Sequence, residues 1–469
     1  MPVTRRVRSI ILFCITAGVV ISCSESVNAP ENDSTLTPRF GKATTEVTVK
    51  AAMPSAAPQN VTVDVQLTGT GFVSGSTAQW LRGGQPDGRV RTNSTRFVSS
   101  TSLVANITIS SDAVPSAYDI SVITPQGKKG IGTEAFTVLP MEQLSTPSGN
   151  SNATGVNSSG VIAGYRSGGC DGGTIPTVWL DAASRIDLPL PSGYCRGVAT
   201  RINNSGDVLG RVDASGSSVG RITRWVHGAD GYIPTVLGSI GSGGQLLGGF
   251  NNAGHAAFHQ SGGILPGQIH SASWWSEETG IVVLAFPVGH TTCTAEDLND
   301  LDQIVGACEG NPPFLPVIWD SPSAAPVILP VPAGFNGGGV LRSINNNGIA
   351  VGTVSTQNKS GKITYIGARW IRTGTSWRVE LLPDLGGGES TPFHVNDDGW
   401  IVGRSTVTGS QYTAALWVPG APVKNLGGFG TGSYAYQITP AGASQRLIVG
   451  QSAVGSDSRA VVWRPDILP

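Results

Sequence analysis

Three patterns in this chain have the residue types and spacing of chemical sites. Gly216-Ser217-Ser218-Val219-Gly220 matches the spacing of a nucleophile elbow. That motif needs a strand leading in and a helix leading out, because the sharp turn between them lifts the hydroxyl above a sheet. Here it falls in a Gly/Ser loop between two β-type runs, so it reads as a loop. His255 and His259 are four apart, as in a helical zinc site. They lack the Glu that follows the first His in such a motif, and on a strand the spacing only puts both rings on one face. Asn396-Asp397-Asp398-Gly399 and Asn299-Asp300-Leu301-Asp302 offer oxygen ligands. Neither has the ligand spacing or terminal Glu of a calcium loop, and both read as turns. No metal, cofactor or catalytic residue is expected from these patterns.

The chain's organising element is a repeat. Ile202-Asn203-Asn204-Ser205-Gly206 recurs as Val156-Asn157-Ser158-Ser159-Gly160, Phe250-Asn251-Asn252-Ala253-Gly254, Leu298 to Asp302, Ile344-Asn345-Asn346-Asn347-Gly348, Val395 to Gly399 and Ile438-Thr439-Pro440-Ala441-Gly442. Fifth positions fall at 160, 206, 254, 302, 348, 399 and 442, a spacing of 43 to 51 residues. Most copies run on into an apolar segment ending in Gly, and each is followed by a Trp: Trp179, Trp225, Trp274 or Trp275, Trp319, Trp370, Trp417 and Trp463. Apolar-Asn-x-x-Gly between β-type runs is a hairpin. Asn bonds its own backbone, and Gly supplies positive φ without steric cost. The Asp302 copy is expected to be looser. The Trp segments read as a third strand, and segments such as 423–426 and 380–385 as a fourth. Four short strands per unit predict an all-β chain with a seven-bladed β-propeller over 140–469.

Closing that ring needs an outer strand for the last unit, which ends soon after Trp463. Leu144 lies twelve residues before Val156, as Leu426 lies twelve before Ile438. Met141 to Leu144 is therefore expected to add to the last unit and remove an exposed edge. If the turns lie on one face, the opposite face gathers two sets of polar residues. Just before the apolar position stand Arg201, Asp297, Ser343, His394 and Gln437. Just after the second strand stand Tyr165, Arg211, His259, Thr353, Arg404 and Gln451. This is the candidate ligand-binding face, and Arg201, Arg211 and Arg404 would suit an anionic or sugar ligand.

Composition agrees with a globular, turn-rich chain: hydrophobic residues are 39%, charged residues only 13%, and 64 of 469 residues are Gly. A net charge of −1 gives no support for a nucleic-acid partner. Residues 47–139 alternate over Val61–Leu67, Leu103–Ile109, Tyr118–Val122 and Ala135–Val138, which predicts a small immunoglobulin-like sandwich. Four cysteines lie in the repeats: Cys170, Cys195, Cys293 and Cys308. The repeat register places them on one rim and pairs Cys170 with Cys195 and Cys293 with Cys308, each bond contributing about 2–4 kcal/mol. A zinc site is the rival, without any Cys-x-x-Cys to support it.

Three resemblances bear on context. Arg5, Arg6 and Arg8 precede an apolar run from Ile10 to Ile21, and Val20-Ile21-Ser22-Cys23 resembles the lipobox of bacterial lipoproteins. That implies a signal peptide over 1–23, acylation of Cys23, export, and a flexible tether over 24–46. Leu67-Thr68-Gly69-Thr70-Gly71-Phe72, Ser100 to Ala105, Tyr118 to Val122 and Ala135 to Val138 resemble the IPT/TIG family, a spacer or binding module of cell-surface proteins. The repeat, with its later Trp and the Leu385-Gly386-Gly387 and Leu426-Gly427-Gly428 segments, resembles HAF-type extracellular repeats; His255-Ala256-Ala257-Phe258 and the Pro440 copy depart from that pattern. Together these imply a monomeric, lipid-anchored cell-envelope or outer-membrane protein with a glycan or envelope protein as partner, more a binder or scaffold than an enzyme. The alternative is a propeller lyase or glycosidase acting on polysaccharide at a central funnel.

Overall fold

A computed structural model describes residues 46–465, apart from 60, 111, 147–148, 218, 243–247, 262–269, 311–313, 408–410 and 430–431. The lipobox and all of the tether but Glu46 lie outside the described residues.

The chain is all-β. Its N-terminal part is a two-sheet sandwich. One sheet orders Thr48–Met53, Val61–Thr70, Ser102–Ile109 and Val90–Ser99, and the other is built mainly on Lys129–Leu139, Ser116–Ile123 and Thr77–Arg82. Period-two alternation puts Val65, Leu67, Leu103, Ala105 and Ile107 inside, where they meet Tyr118, Ile120 and Phe136 of the other sheet. Trp80 sits edge-on to Phe136 at 5.8 Å. Only Pro140 stands between Lys129–Leu139, the last strand of the sandwich, and the next strand, Met141–Gln143.

Beyond the sandwich, the described residues form seven four-stranded antiparallel sheets, a pattern that fits a β-propeller. Unit two shows the plan: Arg196–Ile202, Val208–Asp213, Val219–Gly228 and Gly231–Ser242 pair in sequence order, all antiparallel. The fourth strand of unit five is Ser376–Leu381, earlier than the 380–385 segment read from sequence; Pro383 cannot donate to a ladder and belongs to the connection. In unit three the repeat tryptophan is Trp275, which pairs with Ala256 as Trp225 pairs with Val208.

Outside the sandwich, each hydrophobic cluster is shared between two neighbouring units. Ala163 and Val178 of unit one pack with Ala199, Ile202, Val208 and Trp225 of unit two. Val449, Ala460 and Val462 of unit seven pack with Ala153, Val156, Ile162 and Trp179 of unit one, so the last sheet lies on the first. The outer strand of unit seven is Met141–Gln143, antiparallel to Asp457–Trp463 with Met141 opposite Trp463. This is the closing strand the spacing predicted.

The turns do more than reverse the chain. All seven fifth positions are left-handed, with φ from 74° to 89° at the six glycines and 56° at Asp302. Each repeat Asn accepts local backbone N–H groups, such as Ser205 N at 3.1 Å and Asp207 N at 2.9 Å on Asn203. Its amide nitrogen then donates to the next unit's Asn carbonyl. The run goes Asn157 to Asn203, to Asn251, to Asn299, to Asn345, to Asn396, to Thr439, at 2.9–3.4 Å. The Asp302 turn, expected to be looser, is tied down instead. Its carboxylate receives His255 Nδ1 and Asn251 Nδ2, each at 2.9 Å.

A second set of ties comes from the tryptophans. The indole N–H of Trp179, Trp225, Trp319, Trp370 and Trp417 each reaches a carbonyl in the connection before its own unit, at 2.7–2.8 Å. Both predicted disulfides are present, Cys170–Cys195 and Cys293–Cys308.

Candidate functional site

The innermost strand of a unit must bury its apolar Asn-preceding residue, such as Ile202, and the residue three before it, Ala199. Both point into the core although an unbroken strand would put them on opposite faces. The strand resolves this with a bulge, one extra residue between them. The register skips Thr154, Thr200, Glu296, Arg342, Phe393 and Tyr436 in units one, two, four, five, six and seven. All six line a central cavity of about 460 Å³, together with Tyr165, Val198, Arg201, Arg211, Arg404, Asn152 and Tyr434.

Of the residues expected on the ligand-binding face, Tyr165, Arg201, Arg211 and Arg404 meet in this cavity. Asp297, Ser343 and Gln437 turn toward the neighbouring unit instead. Asp297 Oδ2 accepts Ile344 N at 3.4 Å, Ser343 Oγ accepts Val395 N at 3.3 Å, and Gln437 Oε1 accepts Val156 N at 3.2 Å. Thr353 is buried opposite Val340, and Gln451 pairs with Tyr434. His259 lies beside the cavity, edge-on to His270 at 5.8 Å. Burial holds its imidazole below the usual range, partly offset by Glu296. His255 is in a separate cluster against Trp274 and Asp302, so the two histidines share no site. Among the described residues no group of three or more His, Cys, Asp or Glu could hold a metal. The Ser217 loop leads into the strand Val219–Gly228, so the elbow's helix is not there, and Ser218 itself lies outside the described residues.

The cavity is cationic and aromatic. Arg201, Arg211, Arg342 and Arg404 face one lining carboxylate, Glu296. Arg211 is held by Asp213 at 3.4 Å, and Arg201 bonds the Thr200 carbonyl at 3.0 Å. Arg404 lies over Tyr412 at 4.1 Å and Tyr434 at 5.1 Å; it and Arg342 each stand 5.9 Å from the Phe393 ring. Tyr434 and Tyr436 stack within 8° of parallel at 6.2 Å. Burial, then the neighbouring phenols Tyr165 and Tyr434, raises the Tyr436 phenol and keeps it neutral. Asn152 donates to the Tyr165 hydroxyl at 2.7 Å, while its own Oδ1 is buried without a partner.

Below this wall, burial pushes the Asp297 carboxyl up, against the pull of Arg201 and three hydrogen bonds. Burial and Arg201 hold His394 down at about 3. An ordinary His in the unfolded chain titrates near pH 6.5, so between those values the unfolded state binds more protons. Stability from His394 is therefore complete above about pH 6.5 and is lost as pH falls toward 3. Because the His394 side chain is only partly buried, the loss between pH 7 and pH 4.5 is on the order of 1–2 kcal/mol. His394→Gln should flatten this acid limb in guanidinium unfolding at the two pH values; an unchanged slope would show that His394 is not its source.

No family model matches the chain, and no curated protein matches it. Solved structures of similar backbone include TolB from Acinetobacter baumannii, 12% identical over 74% of this chain and 80% of that one with a TM-score of 0.33. The apo form of prolyl oligopeptidase B from Galerina marginata is 10% identical over 73% of this chain and 48% of that one, with a TM-score of 0.35. Likeness at this level carries nothing over to the cavity.

Proposed function

We propose that this chain is a lipid-anchored cell-envelope protein whose propeller is a non-catalytic binding or scaffolding surface. In this reading residues 1–23 are a lipoprotein signal ending at the acylated Cys23, and 24–46 are a tether. Residues 47–139 are an immunoglobulin-like spacer of the IPT/TIG kind, and 140–469 a seven-bladed propeller of HAF-like repeats. The seven sheets and the packing of unit seven on unit one support the blade number. The two disulfides suit an oxidising compartment outside the cytoplasm. The protein acts as a monomer, held to the membrane by its anchor, with a glycan or envelope protein as partner.

The observation that carries the binding role is the cavity's charge. Four guanidinium groups converge on a space with one lining carboxylate. Charges kept only for packing are normally paired within the chain, since an unpaired enclosed charge destabilises the fold. A volume of about 460 Å³ also suits a small-molecule or glycan segment. The enzyme alternative needs paired carboxylates or a Tyr/His couple. Glu296 has no second lining carboxylate among the described residues, and Asp297 and His394 are not among the lining side chains.

Full-length protein made with its own leader should fractionate with membranes, and Cys23→Ala should release it. Immobilised full-length protein should retain material from an envelope glycan extract, and Arg404→Ala should retain at least tenfold less. Equal retention by both would sink the binding role, and a membrane-bound Cys23→Ala would sink the anchor.

A further inference from the structure

The charges of the cavity are not equivalent. Arg211 has Asp213, and Arg201 shares the field of the buried Asp297. Arg342 and Arg404 carry no ion pair among the described residues; their neighbours are aromatic. Both have a buried Nε with no hydrogen-bond partner. Phe393 lies near both guanidinium groups, and Arg404 is held over Tyr412 and Tyr434. A guanidinium fixed by stacking loses little freedom on binding and presents a planar fork that matches a carboxylate.

Two unmatched acceptors share the same space. Asn152 Oδ1 is buried without a donor, and Glu296 lines the cavity with no ion pair among the described residues. The Tyr165 hydroxyl accepts from Asn152, which leaves its own proton for the cavity. A ligand made only of acceptors satisfies the arginines but strands these oxygens. The ligand must bring hydroxyl donors as well as an anionic group. The Tyr434–Tyr436 wall, with Phe393 5.5 Å from Tyr436, adds apolar ring faces beside the charges.

We infer that the central cavity binds a carboxylated sugar, with Arg342 and Arg404 on the carboxylate, Asn152 and Glu296 on ring hydroxyls, and a pyranose face against Tyr434 and Phe393. This rests on the binding role proposed above. These six residues come from units one, four, five, six and seven, so the site exists only when the ring is closed. A nucleoside triphosphate supplies a flat ring and charge, but its three phosphates exceed two unpaired guanidinium groups.

The test is calorimetric titration of the detergent-solubilised full chain with trigalacturonate, the same trisaccharide fully methyl-esterified, ATP and inorganic phosphate. Trigalacturonate should bind, and esterification, which removes charge and keeps the rings, should weaken it at least tenfold. Arg342→Ala and Arg404→Ala should each weaken it roughly 10- to 100-fold, the range of a charged hydrogen bond. Arg404→Lys should fall between, with an unfolding midpoint equal to wild type. Equal affinity for the esterified sugar, or for Arg404→Ala in a folded protein, overturns the inference. Arginine-dependent binding of ATP or phosphate alone overturns the sugar class and keeps the binding role. No binding of any probe at millimolar concentration overturns the inference, while the binding role stands or falls with retention of the envelope extract. Shortening of the trisaccharide, read by mass spectrometry, keeps the sugar class and overturns the non-catalytic role.

Discussion

Asn299→Ala is expected to destabilise the propeller by about 3 kcal/mol, more than any exposed polar substitution in the same turn. Asn299 is buried at 5% exposure. Its Oδ1 accepts Leu301 N and Gln303 N, both at 3.0 Å, and its Nδ2 donates to the Asn345 carbonyl of the next unit at 3.0 Å. Ala strands two N–H donors and removes one donor to a buried carbonyl, and each stranded group costs about 1–3 kcal/mol before the turn relaxes. Asn299→Asp separates the two jobs. It keeps the local acceptor and loses both amide donations, to the Asn345 carbonyl of unit five and to Gln303 Oε1 at 2.8 Å within unit four, so it measures the amide's donor role and should give about half the loss. Guanidinium unfolding at pH 7.5 reads both. A loss below about 1 kcal/mol for Ala would mean the Asn run contributes nothing beyond a surface turn.

The same asparagines show how far the sequence speaks. Their local role was legible, because Asn-x-x-Gly between β runs has one cheap backbone solution. The tie to the next unit was not, since nothing local in Asn203 says that its amide reaches Asn251 forty-eight residues on. The closing strand was legible because Leu144 repeats the offset of Leu426, and the disulfides because register puts each pair of thiols side by side. The cavity was only half legible. Arg201, Arg211, Arg404 and Tyr165 follow from counting along regular strands, whereas Glu296, Arg342, Phe393 and Tyr436 are bulge residues. The signal for them was present: Ala199 with Ile202, Ala295 with Leu298 and Ala435 with Ile438 are small or apolar residues three apart, an odd spacing that a two-residue period cannot bury on one face. Reading those pairs as bulged strands would have moved the candidate face by one residue in units four to seven.

The seam between unit seven and unit one is where the ring is most exposed to disruption. Thr439 stands where the other copies have Asn, so the amide run that starts at Asn157 ends there. The indole Nε1 of Trp463 is buried without a partner, unlike its counterparts in five other units. The seam depends more on residues at and ahead of the start of unit one, with Gln437 Oε1 also accepting Val156 N at 3.2 Å. Met141–Gln143 completes the sheet, Leu144 N bonds the Ala460 carbonyl at 2.9 Å, Ser458 N bonds Asn150 Oδ1 at 2.8 Å, and Ala460 N bonds Ser151 Oγ at 2.9 Å. Met141 is fully buried with Leu426, Ile438 and Trp463, and Leu144 is fully buried with Val462 and Trp179. Met141→Ala should therefore cost about 2–4 kcal/mol through the cavity it leaves. Met141→Asp should cost more, because a carboxylate there would be buried among apolar side chains and the strand would detach to hydrate it. Detachment bares the edge of Asp457–Trp463, a row of unpaired backbone groups beside apolar side chains, which recruits other chains. Met141→Asp should accordingly elute as oligomers in size-exclusion chromatography, while Met141→Ala stays monomeric with a lowered unfolding midpoint. A monomeric Met141→Asp of wild-type stability would mean the ring holds shut without its N-terminal strand, through the packing of unit seven on unit one and the hydrogen bonds of Ser458, Ala460 and Gln437 across the seam.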